Sequence, residues 1–231
     1  MRIMARSARQ LDLDLRETPR WGGRRAGAGR KCGPNSRDPH RARAPLAARF
    51  PCHVTLKVRS GLPSMRSGRL VRELEHSFAA ASERGRFRLV HYSIQNDHLH
   101  ALVEATSQRD LASGMKSLGS RLARAVNRVF GLRGRVLADR YHLHILRTPR
   151  EVRNALAYVL LNARHHLAKK GRRPLPPAVD PASSGRFFSG WNRRFHPDSP
   201  RPPMPVAPAH TWLLRTGWRR HGLIDPDEVP G

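Results

Sequence analysis

The 231-residue chain predicts an α+β fold: a ferredoxin-like split βαβ antiparallel sheet with helices on one face, plus an additional helix. Three observations carry the prediction. The hydrophobic period across residues 50–170 switches between two and 3.6 in the order β-α-β-β-α-β-α. An apolar stripe runs from Leu111 to Val129, and Thr148-Pro149-Arg150-Glu151 spells the start of a capped helix. The rest divides into a disordered basic arm, residues 1–49, and a Pro-rich C-terminal extension, residues 171–231.

Each element has a local cause. Cys52 to Val58 is rich in β-formers. The turn residues from Gly61 to Gly68 lead into a helix in which Leu70, Val71, Leu74, Phe78 and Ala81 keep helical spacing until Gly85. Phe87 to Ile94 forms a second strand, and Asn96-Asp97 turns the chain into a third, which carries His98 and His100. Ser107 is placed to cap the long helix, with Leu111, Met115, Leu118, Leu122, Val126 and Val129 on one side. Tyr141 to Leu146 reads as a fourth strand. Thr148 then caps a helix whose buried face is Val152, Leu156, Val159, Ala163 and Leu167. Beyond Gly171 prolines are dense, and Phe187 to Phe195 and Trp212 to Leu223 read as short packing or docking pieces.

Charge points to a polyanionic partner. Lys and Arg number 44 against 17 Asp and Glu, a net charge of +27, and a field of that sign attracts nucleic acid. A GC-rich genome would explain why only five of the 44 are Lys, but not the excess over acids. The arm holds 13 Lys or Arg against four acids. Within it, Trp21 to Lys31 combines glycines, which let the backbone approach phosphates, with Arg24, Arg25, Arg30 and Lys31; it is similar to Gly-Arg-rich hooks that enter the minor groove. A solvated tail has the same composition. Lys116, Arg121 and Arg124 lie largely off the long helix's stripe, which makes them a DNA-facing surface or a solvated one. Two cysteines without a Cys-x-x-Cys pair argue against a disulfide framework and a structural zinc, so a cytoplasmic, nucleoid-associated protein is expected. No membrane partner is expected, since no run approaches the roughly 20 apolar residues of a span.

Chemistry concentrates in two places. In a strand, side chains two apart share a face about 6.6–7 Å apart along the chain, so His98 and His100 can lean onto one ion while Leu99 packs beneath the sheet. Two histidines alone do not close a metal site. On the last predicted helix Tyr158 and Asn162 stand four apart, about 40° around the axis, and Tyr158 falls roughly opposite the apolar stripe. A surface tyrosine and a nucleophile facing a cleft both make that pattern. His142 and His144 form a second His-x-His, and Glu104, in phase with the first pair, is the local candidate for a water-activating base.

In order, spacing and type, these residues resemble the single-tyrosine transposases with a His-hydrophobic-His motif, and within them the REP-associated tyrosine transposases. Asn96 to His100 is similar to the metal-binding strand, Gly134-Arg135-Val136 through Asp139-Arg140-Tyr141 to the linking segment, and Ala157 to Asn162 to the catalytic helix. Pro181 to Ser184 with Phe188 to Trp191 is similar to the segment that follows; the likeness covers about residues 20 to 192. The resemblance implies that Tyr158 is the nucleophile and that His98, His100 and Asn162 hold one Mg²⁺ or Mn²⁺. It also implies single-stranded or hairpin DNA as substrate, with Arg140 among the DNA-binding cations and a homodimer among the expected assemblies. Leu137 stands where the family usually has Trp and Ala163 where it often has Pro, departures that bear on hairpin binding more than on chemistry. In the family pattern His142 and His144 precede the catalytic helix, where a His is common without being a ligand.

The implied chemistry is strand transfer through a 5′-phosphotyrosine. A tyrosine, with an ordinary pKa of about 10, is a weak nucleophile and needs an activated phosphate. The covalent link keeps the phosphodiester's energy, so no ATP is required, and the sequence has no P-loop. Two other readings stand beside it: a non-catalytic nucleic-acid-binding or regulatory protein that keeps the fold, and a metal-dependent hydrolase using Glu104.

Overall fold

The computed structural model describes residues 45–81, 86–171, 179–192 and 204–230, with the backbone of 83 and 84. Arg24, Arg25, Arg30 and Lys31 lie outside the described residues, as does the arm up to residue 44. The period-two segments become β1 (Cys52–Lys57), β3 (Phe87–Ile94), β4 (His98–Ala105) and β5 (His142–Ile145), with a two-residue β2 (Glu83–Arg84) between the first two. Their order in the sheet is β2-β3-β4-β1-β5, and every neighbouring pair is antiparallel. β4 is thereby inserted between β1 and β3, and β1 between β4 and β5.

Alternation along the central strands divides the protein into two cores. Leu99, Ala101, Val103 and Ala105 of β4 join Cys52, Val54 and Leu56 of β1 beneath α1 (Gly68–Ala79) and α2 (Gln108–Phe130). Leu102, with Val90 of β3, faces the opposite way, into a core built on α3 (Pro149–Leu160). Helices therefore cover both faces: α1 and α2 one, α3 the other. Because β4 alternates strictly, His98, His100 and Glu104 lie on the α3 face with Leu102.

The helix ends follow the predicted caps. Ser107 Oγ accepts from the Asp110 amide, and Gly131 closes α2 in the left-handed region (φ 64°). Thr148 and Glu151 form the reciprocal capping box of α3, with Pro149 in its first turn.

Two boundaries are corrected. α1 stops at Ala79, well before Gly85, because residues 83 and 84 pair with Arg88 and Phe87 instead of extending the helix. The last predicted helix is broken: α3 ends at Leu160, Leu161 adopts φ −110° and ψ 18°, and α4 (Asn162–Lys169) follows. The break changes the buried phase, so Asn162 and Arg164 go inside while Ala163 and Leu167, expected in the core, are half-buried. Arg164 tolerates burial because it is paired with Asp227 at 2.9 Å.

The C-terminal Trp segments are packing pieces. Trp191, Leu213, Leu214, Trp218 and Ile224 complete the core on α3, and Trp218 is almost fully buried. Residues 182–184 close the part of β3's outer edge that β2 does not cover. The Ile94 amide bonds Ala182 O, Ser93 bridges Ser183, and Ser184 Oγ accepts from the Tyr92 amide. Arg66 clamps this segment through two hydrogen bonds to Asp180. No helix among the described residues is long and apolar enough to cross a membrane.

Candidate active site

On the α3 face, β4 and β1 bring their out-of-core residues together. The Nε2 atoms of His98 and His100 approach to 2.9 Å. His98 Nδ1 lies 2.7 Å from an Asp97 carboxylate oxygen; a carboxylate only accepts, so Nδ1 carries the proton and Nε2 presents its lone pair inward. Behind His100, Thr55 Oγ1 and His53 Nε2 lie 3.1 and 3.2 Å from its Nδ1. Both come from β1, where Thr55 is the register partner of His100. The imidazole pair is thus held from two sides by neighbouring strands.

α3 lays Tyr158 across these rings. Its ring centroid is 5.1 Å from that of His100, 5.9 Å from His53 and 5.6 Å from His165 of α4. The predicted position off the stripe thus becomes a half-buried site against histidines. His166 stands 6.5 Å from His98, ring to ring. Asn162 sits just past the Leu161 break, fully buried, and neither amide atom has a hydrogen-bond partner.

Burial and neighbouring imidazoles keep two of the rings, His100 and His53, neutral. Burial, followed by the fields of His53, His98 and His166, pushes His100 down to about 3. Burial, followed by His144 and His142, pushes His53 down to about 4. Near neutral pH both keep lone pairs available for donation. Asp97 is lowered chiefly by its hydrogen bond from His98.

The arrangement fits a divalent cation. Two imidazole nitrogens bound side by side at about 2.0–2.1 Å from one ion stand about 3 Å apart, close to the separation seen. The Asn162 oxygen is an orphaned buried acceptor of the kind an ion satisfies. Among the described residues no three His, Cys, Asp or Glu side chains converge on one point.

Other predicted residues go elsewhere. Glu104 is buried, and its two oxygens accept the His210 and Thr211 amides at 2.8 Å each. It also lies about 13 Å along β4 from His100. It is a structural acceptor, not a free base. Arg121 donates to the Ser77 carbonyl at 3.1 Å, tying α2 to α1. Lys116 and Arg124 are exposed on α2, which covers the face away from the histidines. Arg140 is exposed just before β5. His142 and His144 are exposed on that edge strand, opposite Thr55 and His53.

Sequence reasoning missed Asp97, His53, Thr55, Lys57 and His165. Lys57 is exposed in register with His98. The alternation His53-x-Thr55-x-Lys57 was the available signal, since the residues between them are core.

Residues 54–159 match the model of the family described as Transposase IS200 like. No curated protein matches the chain. Among solved structures it is similar to a REP-associated tyrosine transposase bound to a REP hairpin, at 15% identity over 55% of this chain and 73% of that one, with a TM-score of 0.45. It is also similar to a bacterial tRNA(His) guanylyltransferase-like protein in complex with GTP, at 12% identity over 58% and 74%, with a TM-score of 0.41. Over residues 54–159, just under half of its length, the chain is thus similar to the IS200-like transposase family.

Proposed function

We propose that the protein cleaves and rejoins single-stranded or hairpin DNA through a 5′-phosphotyrosine on Tyr158, with one Mg²⁺ or Mn²⁺ at the histidine pair. The observation that carries this reading is the 2.9 Å approach of His98 and His100 Nε2 beneath the Tyr158 ring. The interleaved strand order is that of a ferredoxin-like sheet, with α3 as its additional helix. His98, His100 and the Asn162 amide oxygen would hold the ion. When bound, the ion neutralises charge on the scissile phosphate and makes it a better electrophile for a weak nucleophile.

The chain's own residues do the rest. Asp97 keeps the proton of His98 on Nδ1. His100 must release its Nε2 proton and carry one on Nδ1, where Thr55 and His53 are placed to accept it. Tyr158 Oη then attacks phosphorus in line with the leaving 3′ oxygen. The freed 3′-hydroxyl can later reverse the step on the same or another strand. Lys57, exposed beside Asp97, and the basic arm supply cations for the DNA backbone.

The test is a covalent adduct. End-labelled hairpin DNA and Mn²⁺, incubated with the protein and run on a denaturing gel, should give a slow band that Tyr158→Phe abolishes while DNA affinity survives. A band that persists in Tyr158→Phe and vanishes in Tyr141→Phe would move the nucleophile. No wild-type band with any hairpin would favour the non-catalytic binding protein.

A further inference from the structure

Three imidazoles surround Tyr158, and their hydrogen bonds differ. His100 has both ring nitrogens engaged, one by His98 and the other by Thr55 and His53. His53 is engaged through Nε2 with His100. His165 has only Nδ1 engaged, 2.7 Å from the backbone carbonyl of Pro230. A carbonyl can only accept, so His165 Nδ1 carries the proton and, in the neutral ring, Nε2 carries the lone pair. That nitrogen makes no hydrogen bond among the described residues, and its ring is set at 63° to Tyr158.

The C-terminal segment fixes this tautomer. It is strapped to α3 and α4 by Arg153 to Glu228 and by Arg164 to Asp227, which delivers the Pro230 carbonyl to His165. A nucleophile, an imidazole and a group that orients the imidazole are the three parts of an activated hydroxyl.

We infer that His165 is the general base for Tyr158, oriented by the Pro230 carbonyl; this rests on the strand-transferase reading. In cleavage, the Oη–P bond forms and the P–O3′ bond breaks. The Oη proton passes to His165 Nε2, and the 3′ oxygen takes a proton from solvent. In rejoining, the 3′-hydroxyl oxygen forms the P–O3′ bond and gives its proton to solvent, the Oη–P bond breaks, and the His165 imidazolium returns its proton to Oη as the tyrosine leaves. Among the described residues, Tyr158 on α3 and His166 lie against His165, the Arg164–Asp227 pair adjoins it in sequence, and His98, Lys169 and Lys170 act on His166.

Single-turnover adduct formation on end-labelled hairpin DNA with Mn²⁺ tests this in the full chain. His165→Ala and His165→Gln should each slow the step by about 10²-fold or more, with DNA and Mn²⁺ affinities unchanged. The rising limb of the wild-type pH–rate profile should be absent in both variants. Long-range ¹H–¹⁵N NMR of the full-length protein should report the Nδ1–H tautomer at His165. An Nε2–H tautomer, an unchanged rate and pH profile in both variants, or loss of the rising limb in His53→Gln instead would overturn the inference while leaving the adduct intact. Absence of any wild-type adduct would overturn the transferase reading, and this inference with it.

Discussion

Replacing Glu104 separates a strand transferase from a hydrolase, because the two readings assign that carboxylate opposite fates. In the structure both oxygens are spent on the amides of His210 and Thr211, at 2.8 Å each, in a buried setting ahead of the short helix Trp212–Arg215. Hydrogen bonds to a charged group contribute about 1.5–3 kcal/mol each. Glu104→Gln keeps one acceptor, makes it neutral and turns an NH₂ toward a backbone N–H, so it should cost roughly 2–4 kcal/mol. Glu104→Ala strands both amides and should cost more. Urea unfolding followed by tryptophan fluorescence reads the loss, while Tyr158 adduct formation, measured well below the midpoint, should stay within about twofold of wild type. A Glu104→Gln variant of undiminished stability that has lost DNA cleavage would refute the reasoning and restore Glu104 as a catalytic base.

Other residues give equally direct tests. His98→Ala and His100→Ala should each abolish adduct formation and weaken Mn²⁺ binding by calorimetry, whereas His142→Ala and His144→Ala keep the ion; equal loss from the edge-strand pair would move the site to β5. Deleting residues 1–44 should weaken DNA binding and flatten its salt dependence without moving the cut, since fewer phosphate contacts release fewer counterions. His91, buried with Nδ1 3.1 Å from Ser184 Oγ, is pushed down to about 4 by burial. The unfolded chain binds that proton near the ordinary value of about 6.5, so His91's contribution is complete above pH 6.5 and is lost as the pH falls toward 4. Relative to His91→Gln, wild type should lose about 3 kcal/mol over that window, and parallel stability–pH curves would exclude the effect.

What the sequence disclosed were features whose cause is local. Ser107, Thr148 and Glu151 cap the helices they precede because the capping partner is three residues away. The phase of Leu99 against His98 and His100 placed both imidazoles on one face. The break at Leu161 was not legible: no Gly or Pro stands there, and Leu161 still bonds the Ala157 carbonyl as a helical residue would. The new phase buries Arg164, which is matched there by Asp227, a partner 63 residues away. Glu104 was misread for the same kind of reason. Its phase was right, but the amides that consume it belong to a segment more than 100 residues later. The same holds for the histidines. A ring's type and face can be read from its neighbours in sequence, but what its Nδ1 meets is decided by Thr55 and His53 for His100 and by Pro230 for His165. Those partners lie 45, 47 and 65 residues away, so the hydrogen bonding of these rings is a property of the topology.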